Sequence, residues 1–168
     1  SLPHRTYIHA ARDKMDDTHD SMWAVRSQTH KYILNLMPER AYCQLNKYKE
    51  RSYPVLALLN VMNLKGELNP AQSLFMASTK PKVELYDLRN DPYEIHNLAG
   101  DSAHAEIEAE LRAELDRWRA QILDQGVSEE FRSGGWPADY PTRTLAEWEA
   151  HLKQWQAKVM RPLPEKKD

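Results

Sequence analysis

From residue 6 to residue 35, apart from one polar stretch, short apolar runs bounded by polar residues read as strands. Residues 6–11 predict a first strand, reached almost without a lead-in. The polar stretch 12–20, Arg-Asp-Lys-Met-Asp-Asp-Thr-His-Asp, predicts a loop. Residues 22–26 and 31–35 predict a hairpin around Ser27-Gln28-Thr29-His30. Trp23, Val25 and Ile33 are of the aromatic and β-branched types that suit a pleated face.

The period then changes. Residues 42–50, 53–65 and 70–78 carry helix-compatible spacing, with Leu58, Val61, Met62 and Lys65 on one side and Pro54 and Pro70 in first-turn positions. They predict short helices inserted at 42–79 between strands. Residues 83–88 return to extended structure ahead of a turn at Arg89-Asn90-Asp91-Pro92. From 102 to 125 the chain predicts a long helix, with Ile107, Leu111, Leu115, Trp118 and Ile122 forming one apolar stripe. Asp101 or Ser102 would cap it, Gly126 would end it, and Glu108 with Arg112 would add an i,i+4 pair. After a loop at 133–137, Leu145, Trp148, Leu152, Trp155 and Val159 mark a second helix with a narrow seam. That seam suits docking on the chain's own body or on another polypeptide. Residues 162–168 are expected to fray. The predicted class is α+β: a small antiparallel sheet, a long packed helix, inserted short helices and a helical tail. The domain reading is 1–126 for the sheet body and 127–168 for a loop and helical extension.

Composition narrows the chemistry. With 23 Lys and Arg against 25 Asp and Glu, nothing in the net charge of -2 draws the whole chain to nucleic acid or anionic lipid. No apolar run nears the roughly 20 residues of a membrane helix. One cysteine rules out an internal disulfide and any multi-cysteine metal site. Five glycines leave no G-x-G-x-x-G, P-loop or G-x-S-x-G motif. None of the seven histidines forms an H-x-x-x-H or H-E-x-x-H pair, so no metal site is read from the sequence.

One cluster stands out: His9, Arg12, Asp13, Asp16, Asp17, His19 and Asp20 put four carboxylates and two imidazoles within twelve residues. Such a set suits hydroxyl recognition or a cation, and equally suits a solvated loop. His9, Arg12, Asp13, Asp17 and His19 are the candidate substrate-binding residues. Cys43, between Tyr42 and Gln44, reads as a small half-buried helix residue.

Residues 84–98, Glu-Leu-Tyr-Asp-Leu-Arg-Asn-Asp-Pro-Tyr-Glu-Ile-His-Asn-Leu, form a distinctive pattern. It resembles the E-L-Y-D-L-x-x-D-P-x-E-x-x-N-L signature near the C-terminus of type I sulfatases of the alkaline phosphatase superfamily. Residues 22–26 with 30–35 resemble that family's hairpin, usually near R-x-V-R-x-x-x-x-K-Y-I-x-N. Arg12-Asp13-Lys14-Met15-Asp16-Asp17 is similar to the heparan N-sulfatase (sulfamidase) branch. The resemblance covers roughly residues 5–125 and leaves 127–168 outside it.

The resemblance implies the non-catalytic end of such an enzyme. Family members hydrolyse sulfate esters or sulfamates with a formylglycine made within C-x-P-S-R or S-x-P-S-R, beside a calcium ion. Charge building on sulfate oxygens is well met by a cation and fixed donors. Here Cys43 is followed by Gln44, Leu45, Asn46 and Lys47, so the motif is absent and no residue carries over as catalytic. Calcium and formylglycine are expected on a missing N-terminal catalytic domain, which is the expected partner. Sulfated small molecules or glycans are the expected substrates, and a periplasmic or extracellular location fits the family. Removed from that domain, the sheet would expose an apolar face and self-associate. The alternatives are a standalone interaction module, or a pseudo-enzyme remnant, using the Trp148/Trp155 helix.

Overall fold

The computed structural model describes residues 5–16, 18–44, 46–135 and 143–159. Its sheet has four antiparallel strands in sequential order: β1 (Ile8–Met15), β2 (Thr18–Arg26), β3 (His30–Asn35) and β4 (Val83–Asp87). The helices are α1 (Lys47–Ser52), α2 (Pro54–Lys65), α3 (Pro70–Phe75), α4 (Ala105–Gln121), α5 (Glu129–Ser133) and α6 (Leu145–Val159). The α+β class is as the sequence implied. No helix among the described residues is long and apolar enough to cross a membrane.

Contacts divide the chain into two compact units, 1–44 with 77–137, and 45–76 with 138–168. In the first, the strand period sends Trp23, Val25, Tyr32 and Leu85 to one face. There they meet Leu111 and Leu115 of α4, all six being buried. Ile107 and Trp118 pack against the same core. Four of the five stripe residues therefore seal the sheet, and Ile122 is left exposed.

Helix α4 stops earlier than the glycine signal indicates. Ile122 closes it, and Leu123 adopts a left-handed φ of 57° before Gly126 is reached. At its start, the Asp101 side chain caps a 3-10 turn, Ser102–His104, that leads into the helix. The expected Glu108–Arg112 pair does not form as such. Glu108 accepts from the Gly100 N–H at 2.8 Å, and Arg112 lies 3.9 Å from Asp116.

The largest correction concerns residues 12–20. They are not a loop: β1 runs to Met15 and β2 begins at Thr18, with a bulge between Arg12 and Lys14. Their side chains alternate on a two-stranded ribbon that is polar on both faces, so the apolar alternation that marks a strand is missing. Asp16, at φ 54°, begins the turn.

In the second unit, Trp148 of α6 packs on Ala57 and Val61 of α2, with Leu145, Leu152 and Trp155 around them. The tail helix thus docks within its own chain. Pro54 and Pro70 open α2 and α3, and Asn69 with Gln72 forms a reciprocal capping box on α3. Val159 is exposed. Cys43 is half-buried but lies in a bend rather than a helix. Trp136, Pro137 and residues 162–168 lie outside the described residues.

Candidate functional site

Away from α4, the sheet buries a polar layer. Asp20 is fully buried, and its carboxylate collects five hydrogen bonds. Lys80 Nζ donates to both oxygens at 2.9 Å, and Ser21 N–H donates to Oδ1 at 2.9 Å. Arg12 Nη2 and Gln44 Nε2 donate to Oδ2 at 3.0 and 3.1 Å. The Lys80 side chain is as fully buried as its partner, and Nζ also reaches the Arg40 carbonyl at 3.1 Å. Arg12 remains about one-third exposed, with a side-chain accessibility of 36%. This places one guanidinium at the edge of a buried ion pair, oriented from inside.

Further along the same face lies Glu84, 3% exposed. Its oxygens accept from Asn35 Nδ2 and Tyr86 Oη, each at 2.5 Å, and the Tyr42 hydroxyl lies nearby. Burial, reinforced by the hydrogen bond to Glu84, pushes both Tyr42 and Tyr86 hydroxyls well above the usual phenol range. Asn35 Nδ2 also donates to the Pro81 carbonyl at 2.6 Å. Ile33 is the apolar member of this stretch. The open apolar sheet face expected from the sequence is therefore not what this end presents. Exposed apolar side chains gather instead in the helical unit, at Val55, Leu58, Leu64, Leu74 and Phe75. A shallow apolar groove of about 240 Å³ there is lined by Pro54, Val55, Leu58, Leu152 and Trp155.

The sequence-nominated residues separate. Arg12 joins Asp20 as described. Asp13, at the bulge, instead accepts from Ser21 Oγ at 2.8 Å, and that oxygen accepts from Trp23 Nε1. His9 stacks on Trp118 at 4.8 Å and meets Glu114 at 2.9 Å. Arg117 first, and His9 after it, hold the Glu114 carboxyl below its ordinary value. His19 stacks on Phe131 at 4.5 Å, and its Nδ1 lies 3.0 Å from the Phe131 carbonyl. A Cβ at Gly135 (φ 61°) would come within 2.5 Å of that imidazole, so a glycine allows the chain to close over it. His9 and His19 are thus each stacked on an aromatic ring, one on α4 and the other on α5. Asp17 lies outside the described residues.

Lys80, Gln44, Glu84 and Tyr42 belong to the polar layer without having been nominated. Glu84 and Tyr86 could have been found from their alternation with Leu85, which puts two polar side chains on one strand face. Nothing local marks Lys80, sixty residues from its partner. Arg40 holds the hairpin to the short helix α5, donating to the His19, Arg132 and Gly134 carbonyls.

The groups that the resemblance implies do not fit these residues. No group of three or more His, Cys, Asp or Glu among the described residues is arranged to hold a metal ion. Cys43 lacks the x-P-S-R that would follow a formylglycine precursor.

No protein-family model matches the chain. An ulvan-active sulfatase of Formosa agariphila is 41% identical to it over 120 residues. Over that stretch the chain resembles a sulfatase. The match takes in 71% of this chain but only 20% of the relative, so it spans about a fifth of that protein's length. Among solved structures, a sulfatase-type protein of Bacteroides thetaiotaomicron VPI-5482 aligns at 19% identity and a TM-score of 0.45. That alignment covers 88% of this chain and 24% of the other. A 2-O GAG sulfatase, BT1596, aligns at 19% identity and a TM-score of 0.44, over 87% and 24% of the two chains. Likeness at that level says nothing about chemistry.

Proposed function

We propose that the chain is the C-terminal, nucleophile-free part of a sulfatase that hydrolyses sulfate esters or sulfamates of sugars. One observation carries this reading: 41% identity to a sulfatase over a stretch that is a fifth of that enzyme. On this reading the partner is the N-terminal catalytic domain, which supplies the formylglycine and calcium, and the enzyme works in the periplasm or outside the cell. Arg12-Asp13-Lys14-Met15-Asp16-Asp17 favours the heparan N-sulfatase branch. Exposed Val55, Leu58, Leu74 and Phe75 favour self-association of the chain on its own.

This chain's share of the work is positioning. The β1–β2 tip lends Arg12 to the substrate pocket, with Asp13, Asp17, His9 and His19 as the wider candidate set. Arg12 supports the assignment best, because a guanidinium held on one side by Asp20 can offer its remaining donors to a sulfate or hydroxyl.

The test uses a chromogenic aryl sulfate and sulfated sugars. The chain alone should give no turnover; calcium-dependent hydrolysis by it would overturn the assignment of chemistry to the other domain. In the whole enzyme, Arg12→Ala should raise KM by about ten-fold with kcat little changed, the signature of lost ground-state binding. Asp13→Ala should have the smaller effect. Unchanged kinetics in both would remove the hairpin from the pocket.

A further inference from the structure

In the helical unit, residues 47–53 read Lys-Tyr-Lys-Glu-Arg-Ser-Tyr, alternating cations with aromatics. The structure sorts these side chains by chemistry. Glu50, the one acid in the segment, is 6% exposed and turned inward, paired with Arg143 at 2.5 Å. Its backbone is held too, since His151 Nε2 and Trp155 Nε1 lie 3.2 and 3.3 Å from the Glu50 carbonyl. With the acid removed, the outer surface of the segment is left to Lys47, Arg51 and two tyrosines, all exposed.

Lys47 and Arg51 stand four residues apart on α1, so they share one face. Among the described residues neither pairs with an acid, and like charges at that spacing repel. The fold keeps this repulsion, and an external anion would relieve it. Beside them, Tyr48 and Tyr53 are 58% and 47% exposed. Their rings meet edge to face, with centroids 5.9 Å apart at 84°. Two large aromatics held in a fixed corner at the surface form a preorganised platform rather than scattered exposed residues.

We propose that Lys47, Tyr48, Arg51 and Tyr53 form an accessory binding site for a sulfated polysaccharide. The cations take sulfate groups, Arg51 with two parallel donors, and the tyrosine rings take the C–H faces of sugar rings. The choice of a sulfated sugar among polyanions rests on the sulfatase reading; the cationic and aromatic surface does not. The site would hold a polymeric substrate away from the reacting bond.

The experiment measures retention of the full chain on immobilised heparin at about 0.15 M ionic strength, with desulfated heparin and duplex DNA as controls. The expected result is retention on heparin alone. Lys47→Gln/Arg51→Gln should weaken binding about ten-fold and flatten its salt dependence. Tyr48→Ala/Tyr53→Ala should weaken binding about ten-fold at unchanged salt slope. All four side chains are exposed, so thermal melting should not move, and a melt that does move is answered by the milder Tyr48→Phe/Tyr53→Phe pair, which should bind as the parent. No retention, equal binding to DNA, or parental binding by both loss variants would overturn the proposal. Turnover by the whole enzyme tests the sulfatase reading separately, so either can fail without the other.

Discussion

The two faces of the sheet are built from the same strands and held by different physics. Under α4, Trp23, Val25, Tyr32 and Leu85 meet Leu111 and Leu115, and burial of apolar area does the work without directional demands. On the other face Asp20, Asn35 and Glu84 are just as deeply buried, and each depends on particular donors. The apolar face tolerates exchange of one hydrocarbon for another. The polar face is weakened when a charged partner is removed, because the group left behind stays dry with fewer donors.

The largest expected effect separates these cases. Lys80→Ala leaves buried Asp20 with only the part-exposed Arg12 as counter-charge and should cost about 3 kcal/mol in denaturant unfolding. The paired change Asp20→Leu/Lys80→Met should recover most of that loss. If the double variant is as unstable as the single one, the ion pair is not what makes this face fragile. Next, Leu115→Ala should cost about 3 kcal/mol through lost transfer energy and a cavity, with Leu115→Met nearly neutral. A Met variant as damaging as Ala would deny the tolerance claimed for the apolar face.

A smaller effect appears in alkali. Tyr42 and Tyr86 are held protonated in the fold by burial and by Glu84, so their folded values lie above their unfolded ones near 10. Their contribution is fully present below pH 10 and is lost as pH rises beyond it, because the unfolded phenols ionise first. Stability followed from pH 8 to pH 12 should fall, and the fall should be shallower in Tyr86→Phe. At neutral pH that variant should lose about 1 kcal/mol, for the donor missing at Glu84. Least of all, Asp116→Ala on the exposed side of α4 should change stability by under about 0.5 kcal/mol, since its contacts to Arg112 and Arg119 are 3.9 and 3.8 Å apart at the surface.

Much of the architecture was legible in residue periodicity. Strands β2 to β4, the body of α4 and the α6 seam follow from the spacing of Trp23, Val25, Ile33, Leu85, Leu111, Leu115 and Trp148, because each buries one side against something. The β1–β2 tip was not legible, since its alternation is between polar and polar. Helix α5 was missed as well: five residues capped by Ser128 carry no apolar stripe, and their place depends on Arg40 and on the stacking of His19 with Phe131. Of the candidate site, the Arg12–Asp20 contact lies within one hairpin and was within reach of the sequence. The stacking of His9 on Trp118 and of His19 on Phe131 was not, because each ring lies more than a hundred residues away in the chain.

By itself the sequence determined which segments are strands and helices wherever burial is one-sided, and it carried a pattern at 84–98 that resembles a sulfatase signature. Periodicity and turn chemistry act over a few residues, so they can be read locally. Only the tertiary structure decided that Lys80 reaches Asp20, that Glu84 sits among Tyr42, Asn35 and Tyr86, and that Glu50 turns inward while Lys47 and Arg51 face out. Those are pairings between charges and donors distant in the chain. Their energies depend on burial, which no local stretch of sequence specifies.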